Sequence, residues 1–140
     1  MLRQFAIFIS SAILFWSSAA LTDTPSVPGA KAYIISPKDG DVVSNPIRVQ
    51  FGLEGMGIAP AGIDAEGTGH HHLVVDKDTP DLSDYLPTGD SQVIHFGKGQ
   101  TETTLSLEPG EHTLQLVLGD KDHKPHVPPV VSNKVTITVK

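Results

Sequence analysis

Seven histidines and no cysteine in a chain of 140 residues make imidazole the chemistry this sequence has to offer. Six of the seven fall in three short motifs: the triplet His70-His71-His72, His95 in HFGKGQ, and His123 with His126 in HKPHVPP. Histidine is the commonest metal ligand and the side chain most easily switched near neutral pH. A metal site needs several donors within about 2.0–2.3 Å of one ion, so they must converge from more than one segment. His70 and His72, two apart on a strand, point the same way and can clasp one ion. His123 and His126 sit in a loop that Pro125 stiffens, which lowers the entropy cost of arranging two imidazoles. Asp120 and Asp122 are placed to orient those rings or to ligate directly. The expected ligand pool is therefore His70, His72, His95, His123 and His126, supported by His71, His112, Asp120 and Asp122. The donors are nitrogen and oxygen, and Met56 is the one thioether beyond Met1. That set favours copper(II), zinc(II) or nickel(II) over copper(I), with copper expected first and zinc second.

The elements that must position these residues read as strands. Eleven prolines and thirteen glycines punctuate the chain. Between them lie short segments with period-two patterning or β-branched bias: 32–35, 47–53, 71–75, 92–96, 103–107, 112–118 and 134–139. About seven strands at this spacing predict an all-β fold, an immunoglobulin-like antiparallel β-sandwich. Pro37-Lys38-Asp39-Gly40 has turn chemistry, proline presetting one φ and glycine accepting a positive one. Pro109-Gly110 predicts a hairpin between the fifth and sixth strands, and Phe96 to Gln100 another connection of that kind. Pro80 to Tyr85 has room for one helical turn capped by Thr79. The glycine- and alanine-rich GMGIAPAGIDAEGTG predicts a mobile loop.

Strand parity then sorts the histidines. Leu114, Leu116 and Leu118 share one face, which must be the core, and His112 shares their parity at its rim. Leu73 and Val75 share a face with His71, leaving His70, His72 and Val74 on the other. Ile94 and Phe96 pair on one face, leaving His95 opposite. His70, His72 and His95 thus point away from the core, and they converge if their two strands are neighbours.

The ends and the composition bound the rest. One arginine, a mostly apolar stretch from Phe5 to Trp16 and the small residues Ser17-Ser18-Ala19-Ala20 have the form of a secretory signal peptide over residues 1–20. No cysteine follows it to carry a lipid anchor. Residues 21–31 read as a flexible lead-in and 32–140 as a single domain. A periplasmic or secreted location follows. The leader's only charge is Arg3, so its removal takes the formal charge from −6 to −7. A mildly acidic chain without a basic run argues against nucleic acid, and no later segment is apolar enough to span a bilayer.

Catalytic signatures are lacking. FGKGQ has no P-loop context or ending, and no H-E-x-x-H is present. Ser91, Ser106 and Ser132 lie outside any nucleophile-elbow pattern. The sequence therefore predicts a binding protein rather than an enzyme.

In order along the chain, ISPKDGDVVSNP, GHHHLVVD, HFGKGQTET, PGEHTLQLVLGD and HKPHVPPVVSNKVTITV resemble a bacterial secreted family known as domain of unknown function 4399. The resemblance runs from about Tyr33 to Val139. It implies a small extracytoplasmic β domain with histidine at all seven positions found here, and no activity to carry over. Rod-shape and ATPase labels borne by some members find no Walker loop and no multi-span segment to rest on.

Two functions follow from these readings. One is a small secreted binding protein holding a divalent transition metal through clustered histidines. The other is an envelope interaction module whose histidine-rich polar face, with the 56–69 and 77–90 loops, meets a protein or glycan partner.

Overall fold

The computed structural model describes residues 22–140, so the signal peptide expected over residues 1–20 lies outside the described residues. Nine strands run in chain order: β1 (Lys31–Ser36), β2 (Val42–Val43), β3 (Ile47–Glu54), β4 (Gly57–Ile58), β5 (Thr68–Val75), β6 (Val93–His95), β7 (Glu102–Leu105), β8 (Gly110–Gly119) and β9 (Val135–Val139). They form two sheets. One is β1-β3-β7; the other runs β2-β9-β8-β5, and the far edge of β5 is shared by β4 and β6. The architecture is the all-β, immunoglobulin-like sandwich that the strand count predicts. Most pairings are antiparallel, but β2 with β9 and β4 with β5 are parallel. No helix among the described residues is long and apolar enough to cross a membrane.

Alternation builds the core. Ala32 and Ile34 of β1, Ile47, Val49 and Phe51 of β3, and Leu114, Leu116 and Leu118 of β8 bury their side chains between the sheets. Leu73 and Val75 of β5 and Val135, Ile137 and Val139 of β9 complete this layer. His71 shares the inward face of β5, its ring edge-on to Phe51 at 5.3 Å.

β5 departs from simple alternation because both its faces are covered. From Gly69 to Val75 every residue is buried. On the outer face, Val74 meets Val117, Val93 and Leu86 in a second small cluster, with Leu82 and Val131 against it. The segments that follow β5 and β8 therefore fold over the sheet's outer surface. They turn what would be a wet sheet face into an interior.

Several local readings need correction. Pro80 to Tyr85 holds no helical turn: the Asp81 carboxylate takes both the backbone N–H and the hydroxyl of Ser83, a local bond that competes with helix. Thr79, instead of capping, donates its hydroxyl to Gln115. Pro109-Gly110 makes no hairpin, since β7 lies in one sheet and β8 in the other. The Asn45 side chain clasps the backbone N–H and C=O of Leu107 at 3.0 and 2.7 Å, directing the chain across the sandwich. Phe96 to Gln100 likewise turns, with Gly99 at φ +81°, but crosses between sheets rather than pairing β6 with β7.

The glycine-rich loop before β5 is also tied down. Gly57 and Ile58 pair with β5, Ala59 N–H donates to Gly69, Ala61 to Gly97 and Gly62 to Lys121. In the lead-in, Ser26 donates to the Val127 carbonyl and Val127 to that of Thr24. This stitches residues 24–26 to the segment that carries the last two histidines.

Candidate metal centre

Strand pairing assembles the site. His70 and His72 lie two apart on the outer face of β5, and β6 pairs with that strand in the register that sets His95 directly across from His72. On the opposite edge of β5, β8 runs out at Gly119, which pairs with His70. The chain turns there through Asp120 to Lys124 and brings His123 back over the face. Four rings thus meet from three segments. Their six centroid separations are 4.9 Å (70–72), 5.0 Å (70–95), 5.0 Å (70–123), 5.1 Å (72–95), 5.9 Å (72–123) and 4.6 Å (95–123).

Ligand atoms of His70, His72 and His95 all lie within 4.8 Å of one another. Two nitrogens on one tetrahedral ion stand about 3.4 Å apart, about 1.6 times the metal–nitrogen bond. These three rings therefore need to draw together by up to about 1.4 Å to share an ion. His123 is the fourth and outermost, its Nε2 3.0 Å from Nε2 of His95. That atom pair shares one proton when both rings are neutral, or one ion when they are not so bonded.

The electrostatics suit a ligand set. Both ring nitrogens of His70 and of His72 are buried and have no hydrogen-bond partner. Burial, reinforced by the other imidazoles, pushes His70 down to about 4 and His72 to about 3. His95 is lowered too, by burial first and His123 second. These three rings are neutral at pH 7, with lone pairs free to bind. Leaving buried polar atoms unpaired costs about 1–3 kcal/mol each, so this arrangement is one that a bound cation would relieve.

A carboxylate fixes the loop. Asp120, 5% exposed, accepts from the Thr24 hydroxyl at 2.6 Å and from the backbone N–H of Asp122 and Lys124, both at 2.9 Å. Burial alone would raise its pKa, but these bonds together hold it below the ordinary carboxylate range. His123 sits at φ +70°, a left-handed conformation that costs a non-glycine residue about 1–2 kcal/mol. The loop holds it there through His123 N–H to the Asp120 carbonyl, Asp120 N–H to that of Lys124, and Leu86 N–H to that of His123.

The other expected residues fall elsewhere. His126 is fully buried with its ring against Gly69, donates Nε2–H to the Thr68 carbonyl at 3.1 Å and makes none of the four-ring contacts. His71 points into the opposite, inter-sheet layer. His112 lies at the other end of β8, its Nδ1 2.6 Å from the Asp76 carboxylate and its Nε2 2.8 Å from the Glu108 carbonyl. Asp122 is exposed and lends the loop only its backbone N–H. The triplet is 0, 1 and 0% exposed, so water reaches the cluster past the half-buried His95 and His123.

Sequence reading missed the glycines that make room for the rings. A Cβ on Gly97 would stand 2.3 Å from Cε1 of His95, and one on Gly119 would stand 2.8 Å from Cε1 of His72. Neither glycine has a positive φ, so what they contribute is space rather than backbone freedom. The signal for Gly97 was present, two residues after His95, but the turn that brings it under the ring is visible only once the chain is folded.

The sequence profile of a family described as domain of unknown function 4399 matches residues 49–140, which takes in all seven histidines. No curated protein matches the chain. Among solved structures, the solution structure of the PKD domain from human KIAA0319 is similar, at 13% identity and a TM-score of 0.44, covering 89% of this chain and 90% of that one.

Proposed function

The chain belongs to the family described as domain of unknown function 4399, and we propose that this member is a periplasmic or secreted protein that binds a divalent transition metal. The observation that carries the reading is the meeting of His70, His72, His95 and His123, with four ring nitrogens of the first two buried and unpartnered. The donors are nitrogen alone, which suits copper(II) and zinc(II), the two ions expected from the sequence. The role is capture or transfer rather than turnover, since all four imidazoles are available to fill a coordination sphere. Protons compete for the same nitrogens, so affinity falls as pH drops toward the lowered values of His70 and His72, about 4 and 3.

The test is calorimetric titration of the untagged protein with zinc(II) and with copper(II), at neutral pH and near pH 4. One equivalent should bind at neutral pH and be weakened in acid. The paired variant His70→Ala/His72→Ala should lose that equivalent. His95→Ala, at a half-buried position the fold tolerates, should keep the fold and bind more weakly. Unchanged capacity in both variants would end the proposal.

A further inference from the structure

The geometry points to a tetrahedral ion: the four-imidazole cage is shaped for zinc(II) in preference to square-planar copper(II). The inference rests on the metal-binding reading above and specifies what that site accepts.

Ring centroids report coordination shape once each ring turns one nitrogen to the ion. An imidazole bound through one nitrogen at about 2.0–2.1 Å has its ring centre about 3.2 Å from the ion. Four such rings at the corners of a tetrahedron are all about 5.2 Å apart. In a square plane, neighbours are about 4.5 Å apart and the two opposite pairs about 6.4 Å. The observed separations run from 4.6 to 5.9 Å.

A planar site needs two long separations that share no ring. The best choice here is His72–His123 with His70–His95, at 5.9 and 5.0 Å. Both fall short of the planar value, the second by more than an ångström. The remaining four lie between 4.6 and 5.1 Å, near the tetrahedral figure. The rings therefore stand as a slightly flattened tetrahedron.

The surroundings resist flattening. His70 and His72 are fixed on a strand buried on both faces, and His95 is held opposite His72 by strand pairing. The ring of His72 rests on the backbone of Gly119 and that of His95 on Gly97. Spreading the cage would require shifting main chain at the end of β8 and in the turn after β6. Only His123, on its loop, has latitude. Copper(II) outcompetes zinc(II) at an unconstrained nitrogen site, so main chain that resists a planar arrangement of the rings is what narrows that advantage.

The experiment uses cobalt(II), zinc(II) and copper(II) in turn on the purified, untagged protein. Cobalt(II) should give the intense visible absorption of four-coordinate tetrahedral geometry, lost on adding one equivalent of zinc(II). Copper(II) should give an electron paramagnetic resonance spectrum with the narrowed parallel hyperfine splitting of a flattened tetrahedron. A weak, six-coordinate cobalt spectrum, or a copper signal of ordinary tetragonal form, would overturn this inference while leaving metal binding standing. Failure to take up any of the three ions would overturn the parent reading instead.

Discussion

The metal-free fold should be unusually sensitive to acid, and His71 isolates the reason. Its ring is 1% exposed, lies in the apolar layer against Phe51, and has no partner for either nitrogen. Burial alone pushes it down to about 4 from an ordinary 6.5. Above pH 6.5 the ring is neutral in both folded and unfolded chains and contributes no pH dependence. As pH falls below 6.5 the unfolded chain takes up a proton that the folded one refuses, so stability declines until the folded value is reached. At about 1.4 kcal/mol per pH unit, the loss from His71 alone by pH 4.5 is about 3 kcal/mol. His70 and His72, also lowered, act in the same direction. Total stabilities of about 5–15 kcal/mol leave little after such losses. His71→Leu replaces the ring by an apolar group of similar volume. It should stabilise the protein at pH 7 by at least about 1–3 kcal/mol, the cost of one unpaired buried nitrogen, and raise Tm by roughly 4 °C per kcal/mol. It should also flatten the pH dependence by the 3 kcal/mol assigned to His71. The assay is urea unfolding followed by far-ultraviolet circular dichroism between pH 7 and 4.5, since the only tryptophan, Trp16, lies outside the described residues. A variant no more stable at pH 7, with the slope of the parent, would refute the reasoning.

Three further outcomes follow from the same geometry. His112, bracketed by the Asp76 carboxylate and the Glu108 carbonyl, has a raised pKa, so its contribution is present below pH 6.5 and lost as pH rises through the raised value; His112→Gln should remove that contribution, so that stability falls more steeply from pH 8.5 to pH 5.5 than in the parent, measured by thermal unfolding. Asp120→Ala releases the loop that presents His123 and should weaken metal binding by about 10-fold or more, read by competition with a chromogenic chelator. Gly97→Ala and Gly119→Ala drive a methyl group into the rings of His95 and His72 and should weaken binding likewise, whereas Gly89→Ala, with open space around it, should bind as the parent does.

Much of this site could be read from the order of residues, because strand parity is a local property. The alternation around Leu73 and Val75 places His70 and His72 together on one face, and the Ile94–Phe96 pair places His95 opposite the core. Pairing of β5 with β6 needs tertiary information, and so does the discovery that the outer face is roofed over. The roof depends on Val74, Leu86, Val93 and Val117, four residues spread over more than forty positions. That is why parity alone pointed outward to solvent while the folded rings are buried. The two connections expected to be hairpins failed for a related reason. Turn chemistry at Pro109-Gly110 fixes that the chain bends, whereas Asn45, sixty-two positions from Leu107, decides which sheet it joins. Separating His123 from His126 was equally beyond the sequence. Both lie in one short loop, and only the αL conformation of one and the Thr68 carbonyl facing the other tell them apart.

X-ray absorption at the zinc edge of the zinc-loaded protein tests the central claim most directly. The spectrum should show a single nearest shell of four nitrogens at about 2.0 Å, with the outer-shell scattering of four imidazole rings. A shell dominated by oxygen, or one fitted by two imidazoles or fewer, would contradict it.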